Sequence, residues 1–231
     1  MLVRPIKTTL FKENGDLFIF LDKHLPKIKD RYIVVVTSKI VALSEGRFCT
    51  VKNEAEIDEI IKQESDWAMK TKDAWLTIKD GAVLASAGVD ESNANGKIIL
   101  LPKNSYATAE AVRKYLMKKN KLKNLGVIIT DSRLLPLRAG VVGIALGYAG
   151  FKGLKNYIGT PDLFGRKFTK SRTDVADSMA TAAVLTMGEG RERSPLAVIT
   201  DAPIQFTNKT NPTELKIDIK DDIYKPLFEK I

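Results

Sequence analysis

Three carboxylic acids stand where the chain interrupts its regular patterns, and the residue types around them suit cation chemistry. Asp90 begins the run "DESNANGK", in which two acids, a serine and two asparagines crowd one turn before the apolar stretch Ile98 to Leu101. An ordinary turn is satisfied by one Asp or Asn with a glycine. Asp131 directly follows "GVIIT" and precedes Ser132, Arg133 and, further on, Arg138. An acid at the end of a buried strand commonly faces a ligand crevice. Glu189 lies in "MGEGRERS", just past an alanine-rich stretch.

The composition selects the cation. One histidine, His24, and one cysteine, Cys49, leave no set of nitrogen or sulfur ligands for zinc and no intrachain disulfide. Oxygen-only ligands favour Mg²⁺ or Mn²⁺, which usually serve phosphate chemistry. Taken singly, each acid also has a plainer reading. Asp90 can form an Asx turn, Asp131 can pair with Arg138, and Glu189 can be solvated. No GxxxxGK[ST] loop is present, and the glycines of "GVVGIALGYAG" do not fit GxGxxG. His24, in "DKHLPKIKD", reads as a loop residue at the surface.

The elements that must position these groups follow from periodicity. "YIVVVTS" reads as a buried strand feeding a short helical turn that Ser38 caps and Gly46 ends. "EAEIDEIIKQESDWAM" predicts a helix with Ile57, Ile60, Ile61 and Trp67 on one face. Strand-like pieces follow around "WLTIKDGAVLASAG" and "KIILLP", then a helix opening near Asn104 or Ser105 and running through "ATAEAVRKYLMKK". "LGVIITD" predicts another buried strand. "AGVVGIALGYAGFKG" implies close backbone packing, in a strand or a tight helix. "RTDVADSMATAAVLTMGEG" predicts a helix starting near Thr173 or Asp174 and ending at Gly188, and "PLAVIT" predicts a last strand. The order implies a mixed α/β (α+β) chain without a regular βαβ beat, one domain over 1–231 with room for two interleaved subdomains.

Of the 231 residues, 44% are hydrophobic and 28% charged, a globular balance. No run reaches membrane-spanning length, and the start lacks the apolar core of a signal peptide, so a cytoplasmic protein is expected. The net charge of +9 suits an anionic ligand. The densest basic run, "RKYLMKKNKLKN", has Val112 and Leu116 at helical spacing, so its lysines decorate a solvated face and no nucleic-acid partner is expected.

Several segments together resemble the coenzyme F420:L-glutamate ligase family, γ-glutamyl ligases that extend a deazaflavin cofactor. They are "TSKIVALSEGR", "AGVDESN" with "ILLP", "GVIITDSRLLPLRAG", "VGIALGYAG", "PDLFGRKFT", and "VADSMATAAVLTMGEG" ending in "SPLAVIT", in the family's order. The resemblance implies an intertwined homodimer using two divalent ions and GTP (or ATP) to join L-glutamate to a small-molecule acceptor carboxylate. By position, Asp90 and Asp131 correspond to the ligands of one metal, and Ser132 (Thr in the family) and Glu189 to those of a second. Asn93, Thr8, Thr9, Leu10, Phe11, Ser38 and Lys39 correspond to nucleotide contacts. So does the loop Met187, Gly188, Gly190, Arg191, Glu192, Arg193 and Ser194. Arg138 and Arg166 are candidate anion clamps, with structural ion pairing as the alternative. Two departures stand out. "SRLLPLR" replaces the family's T-F-G-R-P-W-R, and Leu43 stands where a nucleotide-contacting lysine is common. They leave open a folate-type acceptor, or a nucleotide- or cofactor-binding paralogue without ligase activity.

Overall fold

The computed structural model describes residues 1–228. β1 (Leu2–Ile6) precedes α1 (Leu17–His24), whose N-cap Asp16 accepts a hydrogen bond from the Ile19 amide. β2 (Tyr32–Thr37) runs directly into α2 (Ser38–Ser44), followed by β3 (Phe48–Cys49) and α3 (Glu54–Gln63). An antiparallel meander of β4 (Trp67–Lys70), β5 (Trp75–Lys79) and β6 (Ala82–Ala85) leads into the acid-rich loop and β7 (Ile98–Ile99). α4 (Ser105–Asn120) is followed by the long hairpin of β8 (Leu125–Leu134) and β9 (Val141–Ala149). β10 (Leu154–Asn156), β11 (Arg172–Asp174), α5 (Val175–Met187) and β12 (Leu196–Thr200) complete the regular elements.

The main sheet has the order β1-β12-β2-β8-β9. β2 and β8 pair in parallel, and the other neighbours are antiparallel. Because successive strand residues point to opposite faces, each central strand feeds two cores. Val34, Val36, Val127 and Ile129 pack toward α1 and α4 with Leu21, Val112 and Leu116. Ile33, Val35, Ile128 and Ile199 pack toward α5 with Ala176, Met179, Ala180 and Ala183. The expected mixed α/β class is therefore what the chain adopts, as three layers around one sheet.

The glycine-rich run is a strand, and its small residues mark where helices touch backbone. A Cβ on Gly143 would stand 2.4 Å from the Ala180 carbonyl oxygen, and one on Gly147 would stand 2.4 Å from the Ser105 carbonyl carbon. The two glycines face opposite layers because a bulge near Leu146 shifts the β8–β9 register between Ile129 and Thr130. Asp177 and Thr181 of α5 reach around β9, accepting from the Ala145 amide (3.0 Å) and donating to the Gly143 carbonyl (2.9 Å).

Some sequence expectations are corrected. α3 stops at Gln63, so Trp67 does not share its apolar face but begins β4, where it pairs with Ile78. The Trp75 indole, not Trp67, meets α3, donating to Asp58. Ser38 is the first residue of α2 and Thr37 its N-cap, without a side-chain cap bond. His24 is not in a loop but ends α1, with Nδ1 2.9 Å from the Phe20 carbonyl and Nε2 accepting from the Thr9 amide. Asn104, Asp174 and Gly188 do cap α4 and α5 as their residue types predict. Among the described residues no helix is long and apolar enough to cross a membrane.

Candidate metal and nucleotide site

β8 outruns its parallel neighbour. β2 ends opposite Thr130 and turns into α2, while β8 continues through Asp131 to Leu134 against β9 alone. Asp131 is thus inside a strand rather than after it, and it is the first residue whose β2-side edge is unpaired. That is where a crevice opens in a sheet. The Ser38 hydroxyl, on the first residue of α2, acts on the Asp131 carboxyl. Burial, and to a lesser extent the nearby charge of Asp90, pushes the Asp131 carboxyl up to about 7. The Ser132 amide, the Ser38 hydroxyl and the Lys39 ammonium oppose the rise.

Asp90 arrives from the other side of this crevice. Its backbone exchanges two hydrogen bonds with Ile99 (3.0 and 2.9 Å), which closes the loop between them. Its carboxylate accepts from the Ser92 amide (2.6 Å) and hydroxyl (2.9 Å), so the Asx turn does form. The remaining capacity goes to Lys39 of α2, whose Nζ is 2.7 Å from Asp90 Oδ2, 2.7 Å from the Ser92 carbonyl and 3.1 Å from Ser92 Oγ. Burial works against ionisation of Asp90, yet these bonds hold its pKa below the ordinary value. Beneath the loop, Leu43 packs with Ala42, Ala94 and Ile99, an apolar anchor where a lysine head group would be desolvated.

Glu189 completes the group from beyond α5. Partial burial raises its pKa, the Ser132 hydroxyl opposes the rise, and the charges of Lys39 and Asp90 both act on it. Asp131 and Ser132 are adjacent on a strand and so point to opposite faces. One meets α2 and the other meets the segment after α5, and the extended hairpin collects both. Among the described residues, no three His, Cys, Asp or Glu side chains already stand close enough to share one ion. The donor set nonetheless fits a hard cation. It comprises the desolvated carboxyl of Asp131, the carboxyl of Glu189, a serine hydroxyl and an aspartate on whose Oδ2 an ammonium already rests.

The other candidate residues divide. Asn93 donates to the Gly190 carbonyl (3.3 Å), and the Thr8 amide donates to the Arg193 carbonyl (2.9 Å), so the acid loop, the early segment and the loop 187–194 adjoin. Gly190 is shaped by Glu192, which accepts from its amide at 2.8 Å, and Ser194 Oγ lies 3.5 Å from the Glu192 carbonyl. Leu10 and Arg191 are exposed. Phe11 packs edge-on against Phe20, and Met187 is buried under the sheet. At Phe11 and Met187 the backbone, not the side chain, is therefore what a nucleotide could meet. Arg138 sits exposed near the hairpin tip and makes no ion pair among the described residues, so its pairing with Asp131 is not observed. Arg166 is also exposed, and its amide donates to Asp162 (2.9 Å) in a separate loop. Neither arginine contacts the three acids.

The sequence reading missed two contacts. Lys39 on Asp90 was not anticipated, because the residues are far apart in sequence. Arg133, named beside Asp131 as a cation, was not among the candidate anion clamps, although its position two residues after Asp131 places both on one strand face.

The F420-0:Gamma-glutamyl ligase family model matches residues 5–201 of the chain. The chain is 35% identical over 217 residues to the coenzyme F420:L-glutamate ligase of Methanococcus maripaludis, covering 92% of this chain and 86% of that protein. It is 34% identical over 201 residues to the protein of the same name from Methanocaldococcus jannaschii, covering 85% and 79%. With the one from Archaeoglobus fulgidus it shares 32% over 208 residues, covering 82% and 83%. On the match over 5–201 and these identities, the chain belongs to the F420-0:γ-glutamyl ligase family, enzymes that form an amide bond to glutamate.

Proposed function

We propose that this chain joins the amine of L-glutamate to a carboxylate of the deazaflavin F420-0, driven by GTP or ATP through an acyl phosphate. Mg²⁺ or Mn²⁺ assists. What supports the reading is that the charges of Asp90 and Lys39 both act on Asp131 and on Glu189, with Ser132 beside them, in a chain of this family. Asp90 and Asp131 would hold one ion, Ser132 and Glu189 a second. Such ions neutralise a triphosphate and the charge that develops as it transfers.

The chain's own groups have definable tasks. A carboxylate resists amine attack because an oxide would have to leave. In the first step its oxygen bonds the γ-phosphorus, and the bond to the departing nucleoside diphosphate breaks. In the second, the neutral amine of glutamate attacks the acyl carbon and inorganic phosphate leaves. Lys39 would follow the phosphates as they load, releasing Asp90 to a metal. Ser38 orients the Asp131 carboxyl. The backbone of Thr8 to Phe11 and of the loop 187–194, with Asn93, would line the nucleotide. Arg138, and Arg166 across a homodimer, would clamp anionic groups of the substrates. The chain acts as one domain.

The test incubates the protein with L-glutamate, Mg²⁺ or Mn²⁺, GTP or ATP, and either F420-0 or a folate, and weighs the acceptor by mass spectrometry. A gain of one or more glutamyl units on F420-0 is expected. A gain on the folate alone would move the acceptor to that class. The absence of any extended product, with no nucleotide bound, would refute the reading. The partly buried, apolar Leu43 favours a second reading, a nucleotide-binding paralogue. It predicts tight GDP binding without glutamate-dependent phosphate release.

A further inference from the structure

Arg133 leaves β8 two residues after Asp131, so the two side chains project from one strand face roughly 7 Å apart. Arg133 Nη2 lies 3.2 Å from Asp177 Oδ2, and the other oxygen of Asp177 is occupied by the Ala145 amide at 3.0 Å. Arg133 Nε is buried and has no hydrogen-bond partner. The side chain is still 29% exposed, and it borders a groove of about 1320 Å³ shared with Arg138, Tyr106, Tyr224 and Phe228. The last two belong to a segment beyond residue 201, outside the stretch that matches the family.

A guanidinium fixed at one corner and carrying an unmet buried N–H holds unused donor capacity, and such donors are costly to leave unpaired. Asp177 meets the guanidinium through Nη2 alone and leaves Nε without an acceptor. A small rotation toward the groove would offer Nε and an Nη together, the side-on fork that matches a carboxylate or phosphate. We propose that Arg133 is a specificity-determining residue that binds an anionic group, carboxylate or phosphate, of the acceptor or of the incoming glutamate. The proposal rests on the ligase reading above. An anion held there would lie one small-molecule length from the carboxyl activated near Asp131, and the aromatic residues of the groove would cover an attached flat body. Asp177 sets the plane of the guanidinium.

The test uses full-length Arg133→Gln and Arg133→Lys. KM for glutamate and for F420-0 are measured separately, with kcat, the nucleotide KM, the melting temperature, and the Kd of each substrate by calorimetry. The glutamine variant is expected to raise KM and Kd of one substrate about tenfold or more, with kcat and the nucleotide KM little changed and lysine recovering part of the loss. The affected substrate identifies the source of the anion. Unchanged constants for both substrates would overturn the proposal. So would a uniform rise that includes the nucleotide and tracks a lowered melting temperature in both variants, since that marks a purely structural ion pair. If the wild type binds a substrate without turning it over, the ligase reading fails while the Kd shift still judges Arg133. A wild type that binds neither substrate overturns both.

Discussion

Lys39 Nζ rests 2.7 Å from Asp90 Oδ2 and 2.7 Å from the Ser92 carbonyl, so the α2 lysine sits on the oxygens of the acid loop. An ammonium and a divalent ion compete for the same lone pairs, whereas both cooperate toward a triphosphate. Lys39→Ala is therefore expected to raise the nucleotide Kd about tenfold or more while metal affinity in the absence of nucleotide stays equal or improves. Calorimetric titrations with Mn²⁺ alone, then with nucleotide, check both halves. Loss of metal affinity in the variant would show that Lys39 supports the oxygen cluster instead of occupying it.

Asp90→Ala and Asp131→Asn are each expected to lower turnover by more than about a hundredfold without unfolding the chain. Asp131→Asn should also raise the metal-free melting temperature at pH 8. Burial lifts the folded-state carboxyl to about 7, so its ionised form opposes folding at that pH. A stabilised, inactive variant fits a residue kept for chemistry at a cost in stability. Normal turnover in both variants would dismiss the ion assignment.

The fold was readable where local rules suffice. The β-branched run Tyr32–Thr37, the Asn104 cap and the alanine-rich helix with its Gly188 stop all form as their residue types require. Trp67 misled because an apolar residue at helical spacing fits a strand start equally well, and α3 had already ended. The site was legible as residue types but not as geometry. Nothing local says that β8 outruns β2, which is what turns Asp131 from a strand terminus into a crevice wall. The ring of contacts joining residue 8 to 193 and residue 93 to 190 depends on the whole sheet order.

Asp174 caps α5, accepting from the Asp177 amide at 2.9 Å, yet burial and then the charge of Asp177 raise its pKa to about 6. Between its ordinary value and about 6 the folded chain binds the extra proton, so this group's contribution to stability falls as pH rises through that window. Asn caps as well as Asp. Asp174→Asn should therefore stabilise at pH 7.5 by about 1 kcal/mol, discounted for partial exposure, and give no gain at pH 4. Denaturant melts at the two pH values measure the difference. An equal effect at both would assign it to something other than the charge.

Gly147→Ala should destabilise by about 2–4 kcal/mol, because its Cβ would meet the α4 backbone 2.4 Å away and backbone cannot yield as a side chain can. Chemical denaturation, compared with Gly159→Ala, resolves the cause. Gly159 has positive φ, which Gly147 does not, and open space around its missing Cβ, so it reports a conformational cost without crowding. Matching losses would mean that crowding at Gly147 is tolerated.

The bulge beside Leu146 decides more than the route of one strand. It leaves one residue unpaired between Gly143 and Gly147, so they lie an odd number of pleat steps apart, and that parity lets a single ribbon lie flush with a helix above and a helix below. Were residue 146 paired like its neighbours, Gly143 and Gly147 would share one face and only one helix could approach this strand so closely. Inserting one paired residue between the two glycines should therefore be more damaging than losing the bulge residue. A substrate handled by Asp131, Ser132 and Arg133 thus has its orientation fixed by a phase, which amino-acid replacement at the surface can tune but a one-residue insertion destroys.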